Sequence, residues 1–277
     1  MASSTSARPL VVALVSLMVA ACDDGAKPGG APTASAATVM PPASSGATGA
    51  SPGATSVATA SAAATASAAP APKKEVVCKK DAVVTFDDPT LESVVRVQLQ
   101  KKEGPIPRAE LKKVKTLNLA SAPRCDSLDP CLMPEFTGVR GLYLAPGKLD
   151  DLSPLKTLTQ LESLRVSDTG VHDLTPLAGL VKLDRIDLGR TRVKDITPLA
   201  NLVNLTELQL DETEVTDLTP LAKLTKLELL QIKRTRISDV SPLKGIRTLK
   251  HLYLEGSLVK DWSALSGIPG LKVHPGL

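Results

Sequence analysis

The chain has 277 residues, with 33 basic and 29 acidic side chains and a formal net charge of +4. The two signs are mixed along the chain, which is typical of a solvated surface and argues against nucleic acid as a partner, since nucleic acid requires a clustered basic face. Aromatic residues make up 2% of the chain, too few for platforms on which nucleic-acid bases stack.

Residues 1–21 contain one basic side chain, Arg8, and then an apolar run of about a dozen residues that begins at Leu10. The apolar run is shorter than the ~20 residues of a membrane-spanning helix and is typical of a secretory signal peptide. Its end, Val-Ala-Ala-Cys22, resembles the lipobox of bacterial lipoproteins. The resemblance implies lipidation of Cys22 and a membrane-anchored protein of the bacterial cell envelope, on its periplasmic or cell-surface face. The alternative is a plain secretory signal with an incidental cysteine.

Residues 22–75 carry Cys22 and then almost only Ala, Ser, Thr, Gly and Pro. Such a composition buries too little apolar surface to offset the entropy of the chain, so we expect a disordered linker. A flexible tether of about 50 residues would hold the following domain ~40 Å from a membrane surface.

Residues 76–119 are predicted to form an N-terminal cap. Apolar side chains within 91–99 share one helical face, with either Gln98 or Leu99 as its last member. Asp88 precedes Pro89, which suits the first turn of a helix. The segment ends in a short run that predicts a first, irregular strand.

Residues 120–277 contain six copies of one 22-residue pattern, LxxLxLxxTxVxDLxPLxxL. One aspartate marks each copy: Asp151, Asp173, Asp195, Asp217, Asp239 and Asp261. In the second copy, Leu164 and Val166 alternate with polar residues, which predicts a strand with both side chains facing inward. One such unit cannot bury its own apolar face, but stacked units can.

This pattern resembles the 22-residue leucine-rich repeat of the bacterial internalin type. The resemblance implies a leucine-rich-repeat solenoid, an α/β horseshoe-type arc with a helical N-terminal cap. Parallel strands would line its concave face, and 3₁₀ or short helical turns would line its convex face.

The polar columns of the repeat are predicted to hold its turns together. The Ser or Thr before each proline, as in Thr175-Pro176, is expected to cap the convex turn through its hydroxyl. Each aspartate is expected to accept local backbone N–H groups rather than to bind a cation. A threonine column begins at Thr169, and Gly147 interrupts it in the first copy.

An insertion separates the first strand from the regular repeats. It contains Cys125 and Cys131, which with Cys78 leave an odd number of cysteines beside Cys22. One disulfide and one free thiol are expected, and the sequence does not choose the pair. At the other end, Trp262 occupies a leucine column and is expected to lie in the core.

The strand positions that face solvent are the candidate binding residues. Both tyrosines of the chain lie there, although the core needs neither, and tyrosine is common at interfaces. The candidate site consists of Tyr143, Arg165, Arg185, Asp187, Gln209, Gln231, His251 and Tyr253. The sequence contains no recognisable catalytic group, phosphate loop, metal-ligand set or cofactor motif.

The sequence therefore predicts a non-enzymatic, lipid-anchored envelope protein that binds a protein partner through its concave face. A structural protein that binds envelope glycan, such as peptidoglycan, is the alternative. The sequence does not identify the partner, and a fold does not determine a function.

Overall fold

The computed structural model describes residues 77–78 and 81–276. The predicted signal peptide, Cys22 and all of the predicted linker lie outside the described residues. Within the described part of the chain, no helix combines the length and the apolarity needed to cross a membrane.

The described residues contain a parallel sheet of eight strands, which lie in chain order. A separate antiparallel pair, β1 (Val83–Val84) and β2 (Ile106–Pro107), precedes it. The parallel strands are β3 (Thr116–Asn118), β4 (Gly141–Tyr143), β5 (Ser163–Arg165), β6 (Arg185–Asp187), β7 (Glu207–Gln209), β8 (Leu229–Gln231), β9 (His251–Tyr253) and β10 (Lys272–His274).

The remaining elements are short helices. α1 spans Pro89–Leu99. The 3₁₀ helices are Arg108–Lys113, Met133–Glu135, Ser153–Leu155, Thr175–Leu177, Thr197–Leu199, Thr219–Lys223, Ser241–Gly245 and Ser263–Leu265. This arrangement confirms the predicted leucine-rich-repeat solenoid.

The core is a stack of equivalent apolar side chains. Leu164 pairs in register with Leu142 on one side and Ile186 on the other. All three are at most 2% exposed, because each repeat covers the apolar face of the one before it. The step between paired strands is 22 residues from β4 to β9, and Leu252 then pairs with Val273.

The aspartate column holds the convex turns, as the sequence predicts. Asp173 Oδ1 accepts the backbone N–H of Thr175 at 2.8 Å, and the other five aspartates make the same bond to the residue two positions on. The prediction that the Ser or Thr hydroxyl caps the turn is wrong. The capping position belongs to the apolar residue before it, such as Leu174, which makes no side-chain cap. Thr175 is already inside the helix, so the preceding aspartate satisfies its N–H.

The threonine column is buried and closes the loops after the strands. Thr169, Thr191, Thr213 and Thr235 each donate a hydroxyl hydrogen bond of 2.7 Å to the carbonyl three residues earlier. Gly147, which interrupts the column, packs against the backbone of Cys125. Cys125 donates to Pro146 O at 3.0 Å and accepts from the N–H of Leu149 at 3.2 Å.

The N-terminal cap contains the predicted helix, and a side chain of this helix also forms hydrogen bonds with the first strand of the parallel sheet. Asp88 accepts the N–H of Thr90 at 2.7 Å, and Leu99 rather than Gln98 packs against the core. The Gln98 side chain is instead hydrogen-bonded to β3, where it accepts the N–H groups of Lys115 and Thr116 at 2.9 and 3.1 Å and donates to Thr116 O. Since β3 is an edge strand, α1 satisfies backbone groups that would otherwise be open.

Two of the cysteines are joined in a disulfide, Cys78–Cys131, which ties the start of the described chain to the insertion. Cys125 is free and buried, and burial raises the pKa of its thiol. The disulfide in the structure is thus one of the cysteine pairings that the sequence left open.

Trp262 is not a core residue, and that prediction is wrong. It is 36% exposed, whereas its equivalents Leu174 and Ile196 are 1% exposed. No further described repeat packs over the turn that carries Trp262, so its ring faces solvent.

We expect Gly147→Ala to destabilise the fold by about 3 kcal/mol and to lower Tm by at least about 6 °C. A Cβ at this position would lie 2.0 Å from the carbonyl oxygen of Cys125, so the backbone of one segment must move. Thermal unfolding followed by circular dichroism measures the effect.

Gly179→Ala is the matched control, because a Cβ there meets no atom within 4 Å. Its Tm is expected to stay within about 2 °C of the parent. Equal effects of the two substitutions would contradict the close packing of Gly147 on Cys125.

Candidate functional site

All eight predicted site residues lie on the solvent side of the strands, the concave face of the solenoid. They alternate with buried leucine and isoleucine side chains, because successive residues of a strand point to opposite sides of the sheet. Their placement follows the prediction, and the structure divides them into three groups.

The first group is an aromatic cluster on β9 and β10. Tyr253 pairs in register with His274, and their rings stack with centroids 4.3 Å apart and planes 10° apart. His251 Nδ1 lies 3.3 Å from His274 Nε2. The ammonium group of Lys233 lies over the Tyr253 ring, 5.1 Å from its centroid, in a cation–π contact.

Sequence reasoning placed His251 and Tyr253 on this face but missed His274. It left His274 out because the step from β9 to β10 is 21 residues rather than 22. The sequence signal that could have found it is the alternation of Lys272, Val273 and His274 near the end of the last copy.

Tyr143 forms a second, isolated group on β4. Its ring lies beside Gly141, where a Cβ would be 3.2 Å from Tyr143 Cε2. Tyr143 and Tyr253 are separated by five strand spacings, or about 24 Å at ~4.8 Å per strand. The structure therefore does not bring the two tyrosines together into one pocket.

The third group is polar and lies at the centre of the face. Arg165 Nε donates to Asp187 Oδ2 at 3.1 Å and to Ser167 Oγ at 3.2 Å. Asp187 Oδ1 accepts the N–H of Gly189 at 3.0 Å. Arg185 pairs instead with its neighbour in the chain, with Nε 3.5 Å from Asp184 Oδ1. Gln209 and Gln231 are half-buried. Gln209 pairs in register with Asp187, whereas Gln231 pairs in register with Gln209 and with Tyr253.

A polar cavity of about 320 Å³ opens among these side chains. Gly189 and Asp211 lie at adjacent positions of its wall. Asp211 is half-buried, and its Oδ1 accepts the N–H of Lys233 at 2.8 Å. Burial raises the pKa of the Asp211 carboxyl, the Lys233 N–H and charge oppose the rise, and the charges of Asp187 and Glu212 add to it. A carboxyl with a perturbed pKa in a cleft makes this cavity a candidate binding site.

A column of charged residues with positive φ borders the cavity, and sequence reasoning missed it. The column consists of Asp168, Arg190, Glu212 and Arg234, with φ between 52° and 58°. Arg190 pairs with Asp168 at 2.9 Å, and Arg234 pairs with Glu212 at 3.0 Å. Gly256 continues the column with φ 69°, which is the sequence signal for this left-handed position.

The described residues include no group of three or more His, Cys, Asp or Glu side chains placed to hold a metal ion. The concave face can supply aromatic contacts near β9 and β10 and charge-assisted hydrogen bonds at its centre. Both are means of recognition by association.

No protein-family model and no curated protein matches the chain. Solved structures with the same architecture do match. An internalin of Listeria monocytogenes is 27% identical with a TM-score of 0.61, and the match covers 68% of this chain and 56% of that one. Internalin C2 of the same species is 28% identical with a TM-score of 0.54, covering 68% and 93% of the two chains.

A leucine-rich-repeat protein of Leptospira interrogans is similar in fold, with a TM-score of 0.56 at 20% identity over 60% of this chain and 44% of that one. These likenesses show an internalin-like leucine-rich-repeat domain. The chain spans little more than half the length of the first of these structures, so its partner does not follow from them.

Two aspartates of this solenoid are expected to affect stability in opposite directions. The pKa of Asp211 is higher in the folded state than in the unfolded state. At pH 7, above both values, the ionised carboxylate therefore destabilises the folded state, and Asp211→Asn should raise Tm. Hydrogen bonds from the hydroxyl and N–H of Thr219 lower the pKa of Asp217, so Asp217→Asn should lower Tm at pH 7.

Calorimetry between pH 7 and pH 3 checks this prediction. The destabilisation of the folded state by the ionised Asp211 should disappear as the pH falls through its raised pKa, since the native carboxyl is then neutral. The stabilisation of the folded state by the ionised Asp217 should be lost as the pH falls through its lowered pKa. A fall in Tm at pH 7 for Asp211→Asn would contradict the assignment of Asp211 as a destabilising, desolvated group.

Proposed function

We propose that this protein is a lipid-anchored leucine-rich-repeat module of the bacterial envelope that binds a protein partner through its concave face. The observation that carries the proposal is the distribution of side chains over that face. An aromatic cluster, a polar cavity and a column of ion pairs lie together on one side of a rigid sheet, and none of them packs the core.

The dimensions of the face favour a protein as the partner. Eight strands at ~4.8 Å spacing extend over about 34 Å. Tyr143 and the Tyr253 cluster lie far apart along this length, with the cavity between them. A protein segment can contact separate anchors of this kind at once, and Tyr and Arg are the residues that most often carry binding energy at such interfaces.

The proposed location rests on the N-terminal sequence and on the disulfide. The lipobox-like end of residues 1–22 would attach lipid to Cys22. The Cys78–Cys131 disulfide supports export, because disulfides persist in oxidising compartments outside the cytosol. A flexible linker would then raise the local concentration of the domain at the membrane surface without a further contact.

We expect the concave triple variant Tyr143→Ser, Arg165→Ser and Tyr253→Ser to lose a partner that the parent captures from envelope extract. The substitutions remove both aromatic anchors and the Arg165–Asp187 pair, which should weaken binding by about 100-fold or more. The full chain in detergent serves as bait, and mass spectrometry identifies what it retains.

A variant of exposed positions away from the strands is the control: Val181→Ser, Lys182→Ser and Val203→Ser. Val181 and Val203 are 50% and 48% exposed, so the fold should tolerate these substitutions. Capture that survives in both variants would contradict binding through the concave face. Retention of glycan without protein would instead support the alternative, an envelope protein that binds carbohydrate.

The Cys22→Ser variant should move from the membrane fraction to the soluble fraction, because it cannot carry the lipid. Cell fractionation followed by blotting measures the change, and Cys125→Ala is the control that keeps the proposed anchor. Equal membrane association of the parent and Cys22→Ser would contradict the lipoprotein proposal.

A further inference from the structure

The concave face has one position without a side chain at its centre. The row of residues two positions beyond the middle of each strand consists of Ala145, Ser167, Gly189, Asp211, Lys233 and Glu255. Gly189 does not have a positive φ, so its backbone conformation does not require glycine. A Cβ at Gly189 would lie 3.3 Å from Asp187 Oδ1 and 3.6 Å from the carbonyl oxygen of Asp211. A side chain at this position would contact Asp187 tightly, and the glycine leaves this part of the cavity wall, next to Asp211, without a side chain.

The basic side chains around this cavity are already engaged with other groups. Their contacts are Arg165 with Asp187 at 3.1 Å, Arg190 with Asp168 at 2.9 Å, Arg234 with Glu212 at 3.0 Å, and Lys233 over the Tyr253 ring at 5.1 Å. These contacts pair three nearby acidic side chains, Asp187, Asp168 and Glu212, with basic ones, and none of them involves Asp211.

Asp211 is the half-buried acid that remains. Its Oδ1 accepts one backbone N–H, from Lys233, and within residues 77–78 and 81–276 no cationic side chain lies within ion-pair distance of it. The charge of Lys233 acts on this carboxylate from beyond ion-pair distance and offsets only part of the cost of its burial. A cation placed beside the carboxylate would remove the remaining cost. Burial raises the pKa of Asp211, which agrees with this geometry.

We propose that the cavity above Gly189 receives a basic side chain of the protein partner, whose charge pairs with the carboxylate of Asp211. The inference rests on the proposed function, because the partner supplies the side chain. An acidic group would meet both Asp187 and Asp211, and an apolar group would desolvate Asp211 without pairing it. Arginine suits the site best, since its planar guanidinium matches a carboxylate and its long stem reaches into a cavity of about 320 Å³.

Arginine amide is the probe that tests this cavity without the partner. The ¹⁵N-labelled full chain in detergent is titrated with it, and the amide signals of Gly189 and Lys233 report binding. We expect saturable shifts with arginine amide and none with citrulline amide, in which an uncharged urea of the same shape replaces the guanidinium. Asp211→Asn should weaken the affinity by at least about tenfold, whereas Asp217→Asn, a carboxylate in a convex turn, should not change it.

Gly189→Leu is a second variant, which fills the space and keeps the Asp211 carboxylate. It should abolish the shifts while the remainder of the spectrum shows the native fold. The inference is overturned if arginine amide gives no saturable shift, if citrulline amide gives the same shift, or if Asp211→Asn binds as tightly as the parent.

The pull-down separates failure of this inference from failure of the proposed function. Capture of a partner that requires Tyr143 and Tyr253 but is unchanged in Asp211→Asn overturns the cavity inference and leaves the function standing. Saturable arginine amide binding that depends on Asp211, with no protein captured by the concave face, supports the cavity and overturns the function.

Discussion

The structure depends on the in-register stacking of a unit that cannot fold alone. Each repeat supplies one three-residue strand and one short 3₁₀ turn, which together cannot enclose a core. Leu164 is buried because Leu142 and Ile186 occupy the equivalent positions on the neighbouring strands. Stability is then a sum of interfaces between neighbours, so a distortion of one turn weakens two interfaces. The same stacking fixes the spacing of every side chain on the concave face.

The turns determine which positions remain available for recognition. Asp173 accepts a backbone N–H, as does its equivalent in each of the six copies. Thr169 donates to a carbonyl, as do its equivalents in the three copies that follow. These hydroxyls and carboxylates are used by the scaffold. The solvent-facing strand positions have no such bond that repeats from copy to copy, and they hold residues as different as Tyr143, Arg165 and Gln209. Chemical variety in an otherwise uniform repeat is therefore concentrated on the face that we propose as the binding surface.

Features that depend on the period or on local chemistry could be predicted from the sequence. The strands, the inward leucines, the aspartate bonds and the helix that begins at Pro89 are of this kind. Features that depend on a one-residue offset or on distant contacts could not. The hydroxyl of Thr175 lies one residue too far along the chain to cap its helix, and His274 reaches Tyr253 through a shortened repeat. The pairing of Cys78 with Cys131 and the bonds from Gln98 to β3 join segments whose proximity appears only in the fold.

Asp211 shows how a deviation from the scaffold points to a ligand. Ala145 and Ser167 occupy the same position in earlier repeats, so the repeat does not need a carboxylate there. Neighbouring acids such as Glu212 have an arginine partner within the chain, whereas Asp211 is held half out of water with its pKa raised by burial. Gly189 lies beside Asp211 in the wall of the cavity, and its φ is not positive, so its backbone conformation does not require glycine. A carboxyl that is unfavourable for the fold and lines a cavity is a candidate binding group, and it is the basis of the proposed pairing of Asp211 with a basic side chain of the partner.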